Sequence, residues 1–89
     1  MRILLFAIYD KKANTYHKPF CEASTAAAER SFHFMVNDPN PHNLIYAFPD
    51  DYCLYYLGVF EDDTGVLSPL SQPVSLVEAS SVIKPAGKL

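Results

Sequence analysis

Eighty-nine residues leave room for one domain, and 49% hydrophobic against 19% charged residues excludes a chain too polar to fold. The formal charge of −3 excludes attraction to nucleic acid by bulk electrostatics, so any contact with phosphate has to be local. Two cysteines, Cys21 and Cys53, are too few for a disulfide framework and fit a reducing cytoplasm, and no stretch reaches the roughly 20 apolar residues needed to cross a bilayer.

The start, MRILLFAIYD, is too short for a signal peptide and is closed by Asp10; Ile3 to Tyr9 is predicted as a central strand buried on both faces. Lys11 to Phe20 is polar and interrupted by Pro19, which predicts a connecting loop. Ser24 or Thr25 then offers an N-cap to three alanines, and Ala28, Phe32, Met35 and Val36 fall on one stripe of a main helix that Asn37-Asp38-Pro39 ends. Leu44 to Phe48, cut by Pro49, is predicted as a loop or one helical turn that packs aromatic side chains onto the core.

Tyr52 to Phe60, YCLYYLGVF, carries the strongest strand signal, and Asp62-Asp63-Thr64-Gly65 supplies turn chemistry leading to a short strand, Val66 to Leu70, which Pro69 confines to an edge. Ser75-Leu-Val-Glu78 fits a capping box and predicts a short second helix to about Lys84, with residues 85–89 as a frayed tail. The sum is a single α+β domain over residues 1–84, a βαββ(α) arrangement in which a three-stranded sheet carries one main helix packed on one face. Its other face would be left with uncovered aromatic residues, which points to a partner, and a domain of this size gains stability from self-association.

Catalytic chemistry finds no foothold. Cys53 alternates with core residues and reads as an inert thiol, while Cys21, four residues after His17, reads as loop packing. His17, Cys21, His33, His42 and Cys53 are not spaced as metal ligands, and Gly58, Gly65 and Gly87 are isolated rather than gathered in a phosphate loop. Asp50-Asp51 and Glu61-Asp62-Asp63 read as solvated turn formers. The expectation is a protein that is not an enzyme and that uses no metal or cofactor.

Single-strand binders pair phosphate-seeking cations with aromatics that stack on bases. The segment holding Lys11, Lys12, Tyr16, Lys18 and Phe20 contains both, and Arg30 on the adjoining helix adds a candidate phosphate contact. Six tyrosines and six phenylalanines exceed what so small a core needs, and Tyr9, Tyr55 and Tyr56 are candidates for an interface, with Tyr55 and Tyr56 pointing to opposite faces of one strand. Aromatics at this density more often form core or oligomer interface than a nucleic-acid site.

Several motifs taken together resemble a known family. They are Tyr9-Asp10-x-Lys12-Ala13-x-x-Tyr16-x-x-Pro19-Phe20, Ala28-x-Arg30-x-Phe32-x-x-x-Val36-Asn37-Asp38-Pro39, Pro49-x-Asp51-Tyr52-x-Leu54-Tyr55-x-Leu57-Gly58-x-Phe60, and the turn Asp62-Asp63-Thr64-Gly65. In this order, over about residues 3 to 70, they are similar to the small non-structural protein of gokushoviruses, in the Microviridae. The resemblance implies an early bacteriophage protein, made in the cytoplasm of the infected bacterial host and absent from the mature capsid. It also implies a counterpart of microvirus protein C, which helps turn genome replication toward single-stranded DNA synthesis coupled to packaging. No catalytic residues come with it. Two readings follow, direct binding of single-stranded DNA or an interaction module that docks on a replication or procapsid protein or on a second copy, neither involving a membrane.

Overall fold

Strand β1 (Arg2–Asp10) is the axis of the molecule in the computed structural model, which describes residues 1–84. One of its edges pairs with β4 (Tyr52–Glu61), from Arg2↔Glu61 to Asp10↔Tyr52. The other is shared by β2 (Thr15–Tyr16), opposite Tyr9 and Asp10, and β3 (Phe20–Glu22), opposite Leu4 to Phe6. With ladder partners on both sides, the backbone of this apolar run finds hydrogen bonds within the sheet, so a sequence with little polar alternation is stable as a central strand. Strand β5 (Val66–Glu78) pairs with β4 and completes the order β2-β1-β4-β5.

All of these pairings are antiparallel, and the register shifts between Leu5 and Phe6, between Leu54 and Tyr55, and between Tyr56 and Gly58. Such bulges add local twist, and the sheet curls into a half-barrel. At Gly58 the curl requires close approach: a Cβ there would stand 2.6 Å from the Ser68 carbonyl oxygen and 2.7 Å from the Pro69 Cα. Glycine is the residue that fits such a contact.

Helix α1 (Thr25–Asn37) covers one face of the sheet. Ser24 caps it, its hydroxyl oxygen accepting from the Ala27 amide at 3.1 Å. Ala28, Phe32 and Val36 are buried against Phe6, Ile8 and Leu54, so the helical stripe and one parity of the strands close a dry core. Asn43 joins the end of α1 to the next helix, α2 (Leu44–Ala47). Its amide donates to the Met35 and Asp38 carbonyls at 2.7 and 2.9 Å, and its oxygen accepts from the Ile45 amide at 3.2 Å.

This architecture corrects the expected three-stranded βαββ(α) sheet with one helix: the sheet has five strands. Of the two additional strands, β2 lies within the segment read as a connecting loop and β3 starts at its last residue, Phe20; they span two and three residues. Segments so short carry no periodicity, and their extended form is fixed by the unpaired edge of β1. The predicted C-terminal helix is also absent among the described residues. Ser75 and Glu78 lie in the β5 ladder opposite Tyr55 and Cys53, and only a 3-10 turn, Ala79–Val82, follows. The capping-box pattern supplies the right side chains, but here the backbone amides belong to a strand that continues the sheet. At α2 it is aliphatic Ile45 that enters the core, whereas Tyr46 and Phe48 remain 48% and 57% exposed. The tail predicted to fray, residues 85–89, lies outside the described residues.

Candidate nucleic-acid interface

The face turned away from α1 carries the strand residues of opposite parity. Ala7 and Cys53 belong to it, as their alternation with Phe6, Ile8 and Leu54 requires, yet both are fully buried. Three tyrosines gather over this end of the face. Tyr16 is brought opposite Tyr9 by the β1–β2 pairing, and Tyr55 lies across β1 beside Ala7. The ring centroids of Tyr9 and Tyr16 are 4.6 Å apart, those of Tyr9 and Tyr55 5.7 Å, and those of Tyr16 and Tyr55 5.5 Å, the last nearly perpendicular at 84°. Tilted and edge-to-face contacts of this kind suit the aromatic quadrupole and hold the rings in fixed directions. Tyr16 stays 41% exposed.

The turn joining β1 to β2 fixes the cations beside these rings. One Asp10 carboxylate oxygen accepts from the amides of Lys12 and Ala13 at 2.9 and 3.1 Å, an Asx-type closure that orders the turn. Asn14 takes a positive φ of 57°, which asparagine tolerates, and its side-chain oxygen accepts from the Tyr9 hydroxyl at 3.3 Å. The Lys11 ammonium is ion-paired with the Glu78 carboxylate, and that hydrogen bond raises its pKa, so it remains charged through neutral pH. Burial raises the Tyr55 hydroxyl, with the charges of Cys53, Tyr16, Glu78 and Tyr9 adding to the shift, and it stays a neutral donor. Beneath lies Cys53, whose thiol sits 3.3 Å from the Ser75 hydroxyl. Burial raises this thiol against the opposing effect of Ser75, which is the reverse of an activated nucleophile.

The residues selected from sequence are thus divided by the fold. Lys11, Lys12 and Tyr16 share the β1–β2 hairpin, with Lys18 exposed two residues beyond Tyr16, and Tyr9 and Tyr55 join Tyr16 in the aromatic group. Phe20 goes to the other side, its ring 5.9 Å from that of Phe6 at the margin of the core. Tyr56 packs there as well, 5.6 Å from Phe6. Arg30 is exposed on α1, separated from the tyrosines by the helix and the sheet. Sequence reasoning missed Glu78 and Asn14. No local signal ties Glu78 to Lys11, 67 residues away, while the single asparagine of the polar turn is a recognisable left-handed position.

The hairpin between β4 and β5, at the opposite end of the β1–β4 ladder, carries a different charge pattern. The N-terminal amine pairs with Asp62 at 2.7 Å and Arg2 with Glu61 at 3.5 Å, so the acids of that turn face local cations. The acids of that turn, Glu61, Asp62 and Asp63, are set at the far end of β4 from Tyr55, while at the tyrosine end Glu78 is paired with Lys11 and Asp10 is engaged by the turn amides.

Comparison with known proteins supplies an independent line. Residues 3–82 match the family model described as phage ORF5 protein. Protein ORF5 of Chlamydia phage 1 is 32% identical over 72 residues, covering 79% of this chain and 75% of that protein. No solved structure matches.

Proposed function

The chain belongs to the phage ORF5 protein family, and on that footing we propose that it is a non-enzymatic early protein that supports viral genome replication and the turn to single-stranded DNA synthesis and packaging by holding single-stranded DNA. The observation that supports this reading is the group of Tyr9, Tyr16 and Tyr55 beside Lys11, Lys12 and Lys18 on a chain of net negative charge. Exposed ring surface accepts bases without regard to sequence, and the lysines meet the phosphates between them. Arg30 lies too far round the molecule to share that contact. The protein would act in the cytoplasm of the infected host.

Titration of labelled single-stranded and duplex DNA at two salt concentrations tests the reading. The single strand binds more tightly, and Lys12→Glu with Lys18→Glu weakens binding and flattens its salt dependence by about 0.7 in slope for each phosphate no longer neutralised. Unchanged affinity in that double variant would remove it.

One observation favours a second reading, an interaction module without DNA contact. On the same face, toward the β4–β5 hairpin, Ile3, Phe60 and Leu67 are aligned by the register, and Leu67 is 61% exposed. Docking on a replication or procapsid protein, or on a second copy, would cover this strip. Sedimentation as a monomer, with no partner recovered from infected cells, would argue against it.

A further inference from the structure

On the helix side of the β1–β2 turn lies a cleft of about 390 Å³. Leu44 and Phe48, each 57% exposed, give it an apolar wall, and Lys12 and Ala13 of the β1–β2 turn belong to its lining. Asp10, Asp51 and the buried Tyr52 complete the lining. One Asp10 oxygen already accepts from the Lys12 and Ala13 amides, and the Asp51 backbone is engaged at both ends, its amide donating to the Phe48 carbonyl and its own carbonyl accepting from the Lys11 amide. The Asp51 backbone is thereby fixed in the short turn Pro49–Asp51, with its side chain in the lining of the cleft.

We propose that this cleft receives a single nucleobase of a bound single strand, with preference for bases that carry amino donors and for guanine above the others. The inference rests on the DNA-binding reading above and adds base selectivity to it. A flat ring has a π-face to lay on Phe48, and covering Phe48 and Leu44 removes apolar surface from water. An ionised carboxylate only accepts hydrogen bonds. Guanine presents two adjacent donors, N1–H and the 2-amino group, to the two oxygens of Asp51, whereas adenine and cytosine present one amino group there. Thymine offers mainly carbonyl oxygens, which a carboxylate repels.

A carboxylate and an aromatic wall would also suit a lysine or arginine side chain of a protein partner; the DNA-binding reading selects the base, and Lys12, in the lining of the same cleft, supplies the cation that the phosphate of that nucleotide needs. The cleft and the tyrosine group share the β1–β2 turn, since Asp10, Lys12 and Ala13 line the cleft and Asn14 accepts from the Tyr9 hydroxyl, so a strand that follows this turn passes both.

Fluorescence anisotropy tests this with labelled oligo-dT and the same oligomer carrying dG at every third position, against the wild-type protein, Phe48→Ala and Asp51→Ala. The dG oligomer binds the wild type about tenfold more tightly, Asp51→Ala brings the ratio near one, and Phe48→Ala weakens the dG oligomer about tenfold. Far-UV circular dichroism confirms that both variants, altered at partly exposed sites, remain folded. Equal affinity of the two oligomers for wild type, or a dG preference that survives Asp51→Ala, overturns the cleft assignment while leaving DNA binding standing. Failure to bind either oligomer overturns both. An arginine-bearing peptide that binds wild type but not Asp51→Ala, with neither oligomer affected by that change, assigns the cleft to a basic protein partner instead.

Discussion

Leu54 and Tyr55 are consecutive residues of β4 with opposite duties. Leu54 is fully buried in the layer between sheet and helix, beside Ile8 and Phe32. Tyr55 lies on the other face, where its ring meets two further tyrosines and α1 gives no cover. One face of this sheet is therefore closed by a helix of matching apolar stripe. The other is covered at one end by aromatic rings that still present surface to the surroundings. Removing a side chain from the first should destabilise the protein, and removing one from the second should weaken the binding proposed for it.

The largest expected effect is on the closed face. Leu54→Ala leaves a cavity with no solvent access and costs about 2–5 kcal/mol, a large share of the stability of so small a domain. A shift of the urea midpoint with little change in slope checks it. Tyr55→Ala sharpens the contrast: single-stranded DNA affinity falls by about 1–3 kcal/mol per stacked base. Its urea midpoint moves less than that of Leu54→Ala, and the reverse ranking would break the distinction between the faces.

Smaller effects concern the ionisable groups of the tyrosine face. Glu78→Gln releases Lys11 from its ion pair, so a phosphate no longer competes with a carboxylate for that ammonium. Affinity for single-stranded DNA rises severalfold at low salt, and the gain fades as salt is added, as paired titrations at two ionic strengths will show.

Alkaline pH tests three ionisable side chains of β4, Cys53 and Tyr55 on the tyrosine face and Tyr52 on the core side. Burial raises the Cys53 thiol above its ordinary 9.0 and the Tyr52 and Tyr55 hydroxyls above 10.0, so folding favours their neutral forms. That contribution is complete below the unfolded values and is lost as pH climbs through the folded ones. The melting temperature should stay level from pH 7 to 8.5 and decline above about pH 9. In the same range iodoacetamide should modify exposed Cys21 in the native protein and buried Cys53 only after unfolding, a difference of one adduct by mass spectrometry.

Much of the frame is written locally. The helix and its serine cap, the two long apolar strands and the β4–β5 turn each depend on residues close together in the chain, where period, capping and turn chemistry act. The lysines and tyrosines of the candidate interface are recognisable for the same reason, as residue types suited to phosphate and base. Ser75 and Glu78 show where local signals mislead, since the pattern of a helix start is overridden by the edge of β4, which pairs with β5 from Glu61↔Val66 to Cys53↔Glu78.

The order of residues is thus enough to show where the main helix and the two principal strands, β1 and β4, lie and to which viral family the chain belongs. Only three-dimensional packing makes five strands, sends Phe20 and Tyr56 to the core while Tyr9, Tyr16 and Tyr55 meet on the opposite face, and brings Lys11 to Glu78. The reason is distance along the chain. Strand pairing and bulges set which way each side chain turns, and these depend on partners tens of residues away that no local window contains.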